Sequence, residues 1–228
     1  MLDTIQKKYS SLILKPYLQW YLKKERSTTV QGFKLTIKPS VFHPKYFFSS
    51  LYLFKFITTL NLNNKSFLEI GCGSGFISLL AYQKKAIVTC CDINPNAIEC
   101  TNTNFKKNFN TENNNFTVIN SDLFDKIPKT SFDYIVINPP YFFEEIKNQN
   151  QLAWNCGKNG EYFNKLFFQL NKYIHNSSKI IMILAENCEI DRIKKIAEDH
   201  GFKFELLQQQ KIKWELNYIF EIIDNKVS

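Results

Sequence analysis

Between Lys65 and Leu184, short apolar runs recur with helix-length stretches between them. The runs are Phe67 to Ile70, Ala86 to Cys91, Phe116 to Ile119, Tyr134 to Ile137 and Lys179 to Leu184. Helical patterns fall near 75–84, 94–108, 160–174 and 189–200. Runs this short, apolar at consecutive positions, suit strands buried on both faces. Strand alternating with helix implies a parallel sheet covered on both sides. The chain closes differently, on Phe202 to Leu207 and Trp214 to Ile223, two strands with no helix between them. Trp214, Leu216, Tyr218, Phe220 and Ile222 alternate as strand residues do, so a closing hairpin adds one antiparallel strand. The fold class is α/β.

Ahead of this unit, residues 1 to about 26 read as two short helical pieces. Tyr17, Trp20 and Tyr21 take helical spacing behind Pro16, and Lys23, Lys24 and Arg26 suit a helix C-terminus. Thr28 to Val30 and Phe33 to Ile37 flank Gln31-Gly32, a hairpin pattern, and Phe48 to Leu60 reads as a helix. The expected division is an N-terminal helical and hairpin extension over 1–44 and one main domain over 45–228. A chain of 228 residues suits one domain with a small appendage.

Composition narrows the function classes. The chain is 44% hydrophobic and 22% charged, which excludes a disordered chain or a disulfide-stapled miniature. The formal net charge of +8 permits an anionic partner such as RNA, DNA or a ribosome, and also serves solubility. The six cysteines form no C-x-x-C pair, and His43, His175 and His200 stand far apart. Free thiols in a reducing cytoplasm are expected, with no metal site. No apolar run approaches the ~20 residues of a membrane helix, and the N-terminus lacks a leader pattern, so no membrane contact is expected.

The first apolar run leads into Glu69-Ile70-Gly71-Cys72-Gly73-Ser74-Gly75-Phe76. Glycines there let a ligand touch the backbone, and the following helix offers free N–H groups. The third glycine of a dinucleotide fingerprint is replaced by Phe76, which counts against a dehydrogenase. Asp92 ends the second run, about 20 residues beyond Gly71, where a carboxylate can take both ribose hydroxyls. Asp122 follows the third run and can accept from an exocyclic adenine amine. A glycine loop with acids at two successive strand tips describes an adenosine pocket without a phosphate site.

Leu68 to Gly75 resembles the first motif of class I S-adenosylmethionine-dependent methyltransferases, and the resemblance covers roughly residues 41 to 225. It implies a seven-stranded Rossmann-like sheet of order 3-2-1-4-5-7-6 with the seventh strand antiparallel. It implies S-adenosylmethionine as cofactor, with Glu69, Gly71 and Gly73 in the first motif, Asp92 as ribose acid and Asp122 as adenine acid. Cys72, Gly75, Ile93, Leu123 and Asn138 are the neighbours expected to touch the cofactor.

The fourth run ends in Asn138-Pro139-Pro140-Tyr141, at the strand ends where open α/β sheets bind ligands. A planar NH2 group has a delocalised lone pair and is a poor nucleophile. The Asn138 side-chain oxygen and the Pro139 carbonyl can accept its two hydrogens and draw the nitrogen toward tetrahedral geometry. Prolines hold that carbonyl in place, and Tyr141 offers a flat face to the substrate. The tetrapeptide resembles the signature of methyltransferases acting on exocyclic amines of adenine or guanine and on glutamine side-chain amides. Asn138, Pro139, Pro140 and Tyr141 are thus the expected catalytic residues.

Ala153 to Gly160 is similar to the A-x-x-G-G-x-[DN]-G loop of glutamine methyltransferases that modify release factors, with Cys156 in place of the first paired glycine. Trp154 would wall the acceptor channel beside Tyr141. Val41-Phe42-His43-Pro44 with Ser49 and Ser50 resembles the segment that lines cofactor and acceptor sites in the same group, and Ser50 matches a cofactor-contacting Thr there. His43 by itself reads as a turn residue. The expected acceptor is a protein glutamine, on a release factor or ribosomal protein, or a base amine in rRNA, tRNA or DNA. A small activating partner and a catalytically silent cofactor-binding scaffold stay open.

Overall fold

In a computed structural model, residues 24–46, 48–109, 115–147, 151, 153–213 and 215–225 are described. In chain order the elements are β1 Arg26–Val30, β2 Phe33–Ile37, α1 Phe48–Thr59, β3 Ser66–Ile70, α2 Phe76–Gln83, β4 Ile87–Asp92, α3 Pro95–Asn108, β5 Phe116–Asn120, β6 Tyr134–Ile137, α4 Glu161–Leu170, β7 Lys179–Ala185, α5 Ile190–Asp199, β8 Phe202–Ile212 and β9 Glu215–Asp224. The seven-stranded sheet runs β5-β4-β3-β6-β7-β9-β8. Strands β3 to β7 pair in parallel, and β9 pairs antiparallel with both β7 and β8. Counted from β3 as first, this is the order that the resemblance implied.

The apolar runs serve two cores because successive strand side chains point to opposite faces. Phe67, Val136, Ile181 and Ile183 pack with α1, α2, α3 and the hairpin. Leu68, Ile70, Ile135, Ile137 and Met182 pack with α4, α5 and the segment 123–132. Burial on both faces explains why these strands read as continuous apolar runs.

The hairpin β1-β2 turns at Gln31 and Gly32, both at positive φ (49° and 85°), the demand of a two-residue primed turn. It is tied to α3 by Asn104, whose side chain is fully buried. Asn104 Oδ1 accepts from Thr36 N at 2.6 Å, and Nδ2 donates to the carbonyls of Thr36 and Ser74 at 3.0 and 2.9 Å. One amide thereby joins the hairpin to the glycine loop. Asn94 caps α3 ahead of Pro95, accepting from Asn96 N at 3.0 Å.

Three expectations shift. Arg26 opens β1, paired with Ile37, where a helix end was read; Thr28, Thr29 and Val30 after it favour an extended chain. Lys24 and Glu25 before Arg26 are not helical either; the rest of that N-terminal helical reading, over residues 1–23, and Trp214 lie outside the described residues. Strand β8 continues past Leu207 to Ile212, through an irregularity at Leu206 and Gln208. Its Gln208-Gln209-Gln210-Lys211 stretch reads as a loop, yet an edge strand needs no apolar face toward solvent. Helix α4 stops at Leu170, short of 174: Lys172 N and Tyr173 N close tight turns on the Gln169 and Leu170 carbonyls at 3.1 and 3.0 Å, and the Tyr173 hydroxyl reaches the carbonyls of Phe124 and Ile127, both at 3.2 Å.

Among the described residues no helix is long and apolar enough to cross a membrane, and no cluster of three potential metal ligands occurs. Replacing Asn104 with Ala strands the Thr36 amide and two buried carbonyls. Asn104→Ala should therefore lose roughly 3 kcal/mol of stability, read as a lower urea midpoint with an unchanged slope.

Candidate active site

A cavity of about 290 Å³ opens at the C-terminal ends of the parallel strands. The turns after β3, β4, β5 and β6 each send residues to it. Lining it are Glu69, Gly71, Cys72, Gly73, Asp92, Ile93, Asp122, Leu123, Asn138, Pro139, Pro140 and Tyr141, all expected from sequence. Gly75 and Trp154, also expected, stand back from it. Gly75 precedes α2 against the Thr101 side chain.

The glycine loop is held from the neighbouring strand. Gly71 N and Cys72 N both donate to the Cys91 carbonyl at 2.9 Å, and Gly73 N donates to Asp92 Oδ2 at 2.9 Å. Asp92 Oδ1 accepts from Asn94 N, also at 2.9 Å. Burial raises the Asp92 pKa above the usual value, and the amides of Asn94 and Gly73 oppose that shift. Each carboxylate oxygen keeps lone-pair capacity for a ligand hydroxyl.

Glu69, on β3 below the loop, is buried, and its Oε2 accepts from Ser78 N at 2.8 Å and from the Ser78 hydroxyl. Desolvation pushes its pKa up to about 8, against the Ser78 hydrogen bonds. Asp122 is half-exposed, and Lys165 Nζ meets its Oδ2 at 2.6 Å and Asp125 Oδ2 at 2.7 Å. Gln169 joins that knot by donating to Asp125 Oδ1 at 2.7 Å. Leu123, beside Asp122, is buried with φ at 52°, a left-handed conformation unusual for leucine and typical of ligand-facing turns.

The tetrapeptide forms the opposite wall. Asn138 Nδ2 donates to Ser50 Oγ at a long 3.4 Å, and Oδ1 has no donor among the described residues. The Pro139 carbonyl takes no hydrogen bond from the described residues. Burial raises the Tyr141 pKa, so its phenol stays protonated. Tyr141 and Phe142 pair with the loop at Trp154: Tyr141 N and Phe142 N donate to the Trp154 carbonyl at 3.0 and 2.9 Å. Cys156 N returns to the Phe142 carbonyl at 2.8 Å, with the thiol on the same oxygen at 3.2 Å. That thiol fills fully buried space, which is how a cysteine stands at the first glycine of the pair. Gly157 cannot be replaced so simply, because φ is 87° and a Cβ would collide with the Glu161 carboxylate.

Trp154 acts through its carbonyl and through its ring, which packs on Phe42 at 5.2 Å between centroids. Phe42 belongs to the strap 40–44, of which Ser40, Val41, Phe42 and Pro44 line the cavity, as does Ser50. Asn94 Nδ2 donates to the Ser40 carbonyl and hydroxyl at 3.1 and 3.2 Å. His43 is buried, accepts from Lys45 N at 3.3 Å and packs on Tyr46. Desolvation lowers its pKa to about 4, so it is neutral and structural. Sequence reasoning missed Ser40, Tyr162 and Lys165. Nothing local marks the last two, since α4 brings them from some forty residues beyond the tips they face.

Among the described residues three carboxylates, Asp92, Asp122 and Glu161, and the protonated Glu69 line the cavity, with Lys165 as its cation already bound to two carboxylates. Such a lining suits a cationic ligand with hydroxyl and amine donors and repels a pyrophosphate. S-adenosylmethionine, a sulfonium carrying an adenosine, fits that donor and acceptor set.

The architecture is that of the class I methyltransferases. The chain belongs to the methyltransferase small domain family, whose model matches residues 33–162. It is 32% identical to a provisionally named protein N5-glutamine methyltransferase of Methanocaldococcus jannaschii, over 82% of this chain and 93% of that one. It is 27% identical to the release factor glutamine methyltransferase of Aquifex aeolicus, over 61% of this chain and 53% of that one. Two solved structures share the fold. One is the Mtq2–Trm112 complex of E. cuniculi, which methylates the translation termination factor eRF1, at TM-score 0.60 and 20% identity, covering 80% of this chain and 98% of that one. The other is the T. thermophilus 16S rRNA guanine-N2 methyltransferase with AdoMet and guanosine, at TM-score 0.59 and 16% identity, covering 87% and 50%.

The buried Glu69 has a direct consequence for stability. Its folded pKa lies near 8 against the usual 4.5, so the native state holds a proton that the unfolded chain releases. Its contribution is present below about 4.5, and stability falls as pH rises from there to about 8. Glu69→Gln keeps an acceptor for Ser78 and has no proton to lose. The variant should gain stability relative to wild type as pH is raised from 5.5 to 8.5, measured by urea denaturation at each pH.

Proposed function

We propose that this methyltransferase uses S-adenosylmethionine to methylate a planar NH2 nitrogen, and that the acceptor is a glutamine side-chain amide of a translation protein. The reading rests on one observation: Asn138-Pro139-Pro140-Tyr141 faces the same cavity as Asp92 and Asp122. The cofactor supplies an electrophilic methyl group on a sulfonium. Asp92 takes the ribose hydroxyls, Asp122 the adenine amine, and Glu69 with Gly71 to Gly73 the methionine side. Ile93 and Leu123 flank the base.

Asn138 Oδ1 and the Pro139 carbonyl accept the two N–H groups of the substrate and localise its lone pair. With the cofactor bound, that nitrogen would be held in line for the methyl group, its bond to carbon forming as the sulfur–carbon bond breaks and the surplus proton leaving to solvent. Tyr141 stacks on the planar group. Catalysis of this kind is positioning, worth at most about 7–11 kcal/mol in model systems.

The glutamine reading is supported by the Methanocaldococcus relative, matched over nearly all its length. It is also supported by the Ala153 to Gly160 loop, which closes on Tyr141 through Trp154. The acceptor side of the cavity, with Val41, Phe42, Pro44, Ile146 and Ala153, is apolar and suits a peptide. Within the extension 1–44, Phe42 meets the acceptor loop and contributes to acceptor choice. A base amine in RNA or DNA is the second reading, favoured by the net charge of +8.

Two variants separate binding from chemistry. Asn138→Ala should lower turnover by about a hundredfold or more and leave the cofactor Kd within about threefold, whereas Asp92→Ala should raise that Kd about tenfold or more. Methyl-labelled S-adenosylmethionine and an extract lacking the enzyme test the acceptor, with Asn138→Ala as blank. Label released by protease and resistant to nuclease supports the glutamine reading. Label lost to nuclease makes a base amine the substrate.

A further inference from the structure

Tyr162 lies in the first turn of α4 and lines the cavity. Its main-chain N–H donates to the Cys156 carbonyl at 3.0 Å, and its ring meets Phe163 edge-on at 5.2 Å. The hydroxyl is sealed from solvent and has no hydrogen-bond partner among the described residues. A buried, unpaired hydroxyl carries a desolvation penalty, and such groups call for an explanation. Asn217 Oδ1 is the other such side-chain atom among the described residues, and Asn217 does not line the cavity.

The surroundings of Tyr162 decide what could satisfy it. Burial, and after it the carboxyl groups of Asp92 and Asp122, raise its pKa well above the ordinary phenol value. The group is therefore a protonated donor at a cavity that the two acidic strand tips also line. Carboxylates there are acceptors, and they can read only the donors of an adenosine: its ribose hydroxyls and its exocyclic amine. The ring nitrogens of adenine are acceptors, and no carboxylate can pair with them.

We propose that Tyr162 is a cofactor-reading residue whose hydroxyl donates to a ring nitrogen of the adenine, complementing Asp92 and Asp122. The assignment rests on the adenosine site of the proposed function and extends it to a residue on α4. Entry of the base against the ring, with a slight shift of the phenol, exchanges an unpaired hydroxyl for a paired one. Tyr162 also follows directly on the acceptor loop, so the contact would join cofactor recognition to the segment that frames the acceptor.

Tyr162→Phe removes only the hydroxyl. Binding of S-adenosylhomocysteine and of 5′-methylthioadenosine, which lacks the amino-acid tail, is measured by calorimetry, and the ligand-free unfolding midpoint is measured beside it. The expected result is about tenfold weaker binding of both ligands, the worth of one hydrogen bond, with an unfolding midpoint unchanged or raised. Unchanged affinities would overturn the assignment. So would a loss confined to S-adenosylhomocysteine, which puts the contact on the tail, or a lowered ligand-free midpoint, which makes the hydroxyl structural. Failure of the wild type to bind either ligand would instead remove the adenosine site, and the Tyr162 contact with it.

Discussion

The hydrogen bond from the Gly73 amide to the Asp92 carboxylate is the constraint on which the cavity depends. It ties the loop after β3 to the tip of β4, so the backbone wall and the acid wall keep one geometry. Asp92 also orients Asn94, and Asn94 holds the strap at Ser40. Three stretches distant in sequence are thereby referred to one carboxylate. The arrangement is preorganised, with hydrogen-bonding groups oriented before a ligand arrives, which limits the ordering cost of binding.

Much of this was legible in the chain. Tyr134 to Ile137 is apolar at every position and Phe67 to Ile70 at every position but Glu69, as a strand covered on both faces requires. Glycine spacing, Asp92 and Asp122 follow from strand-tip geometry, which sequence distance reports well. Helix-borne residues are harder to read. Tyr162 and Lys165 reach the cavity through the docking of α4, and docking is a tertiary fact with no local signal. Arg26 and the Gln208 to Lys211 stretch misled for another reason. Charged or polar residues at an edge strand face water, so they look the same as a loop or a helix end.

The two cores divide the labour of the fold. One carries the glycine loop and the hairpin, and the other carries α4 and the segment that leads to it. The sheet between them is the rigid member, and its C-terminal edge collects chemistry from both sides. Substitutions deep in either core alter stability first. Those in the turns alter the cavity first, because side chains there pack less and bond more.

The contact of Phe42 with Trp154 joins two doors on a common post. The strap is part of the cavity wall, and Trp154 braces the loop that meets Tyr141. A displacement of either segment would therefore press on the other through the packing of two aromatic rings. Replacing either segment alone would leave the other against a mismatched ring, so the two are best exchanged together.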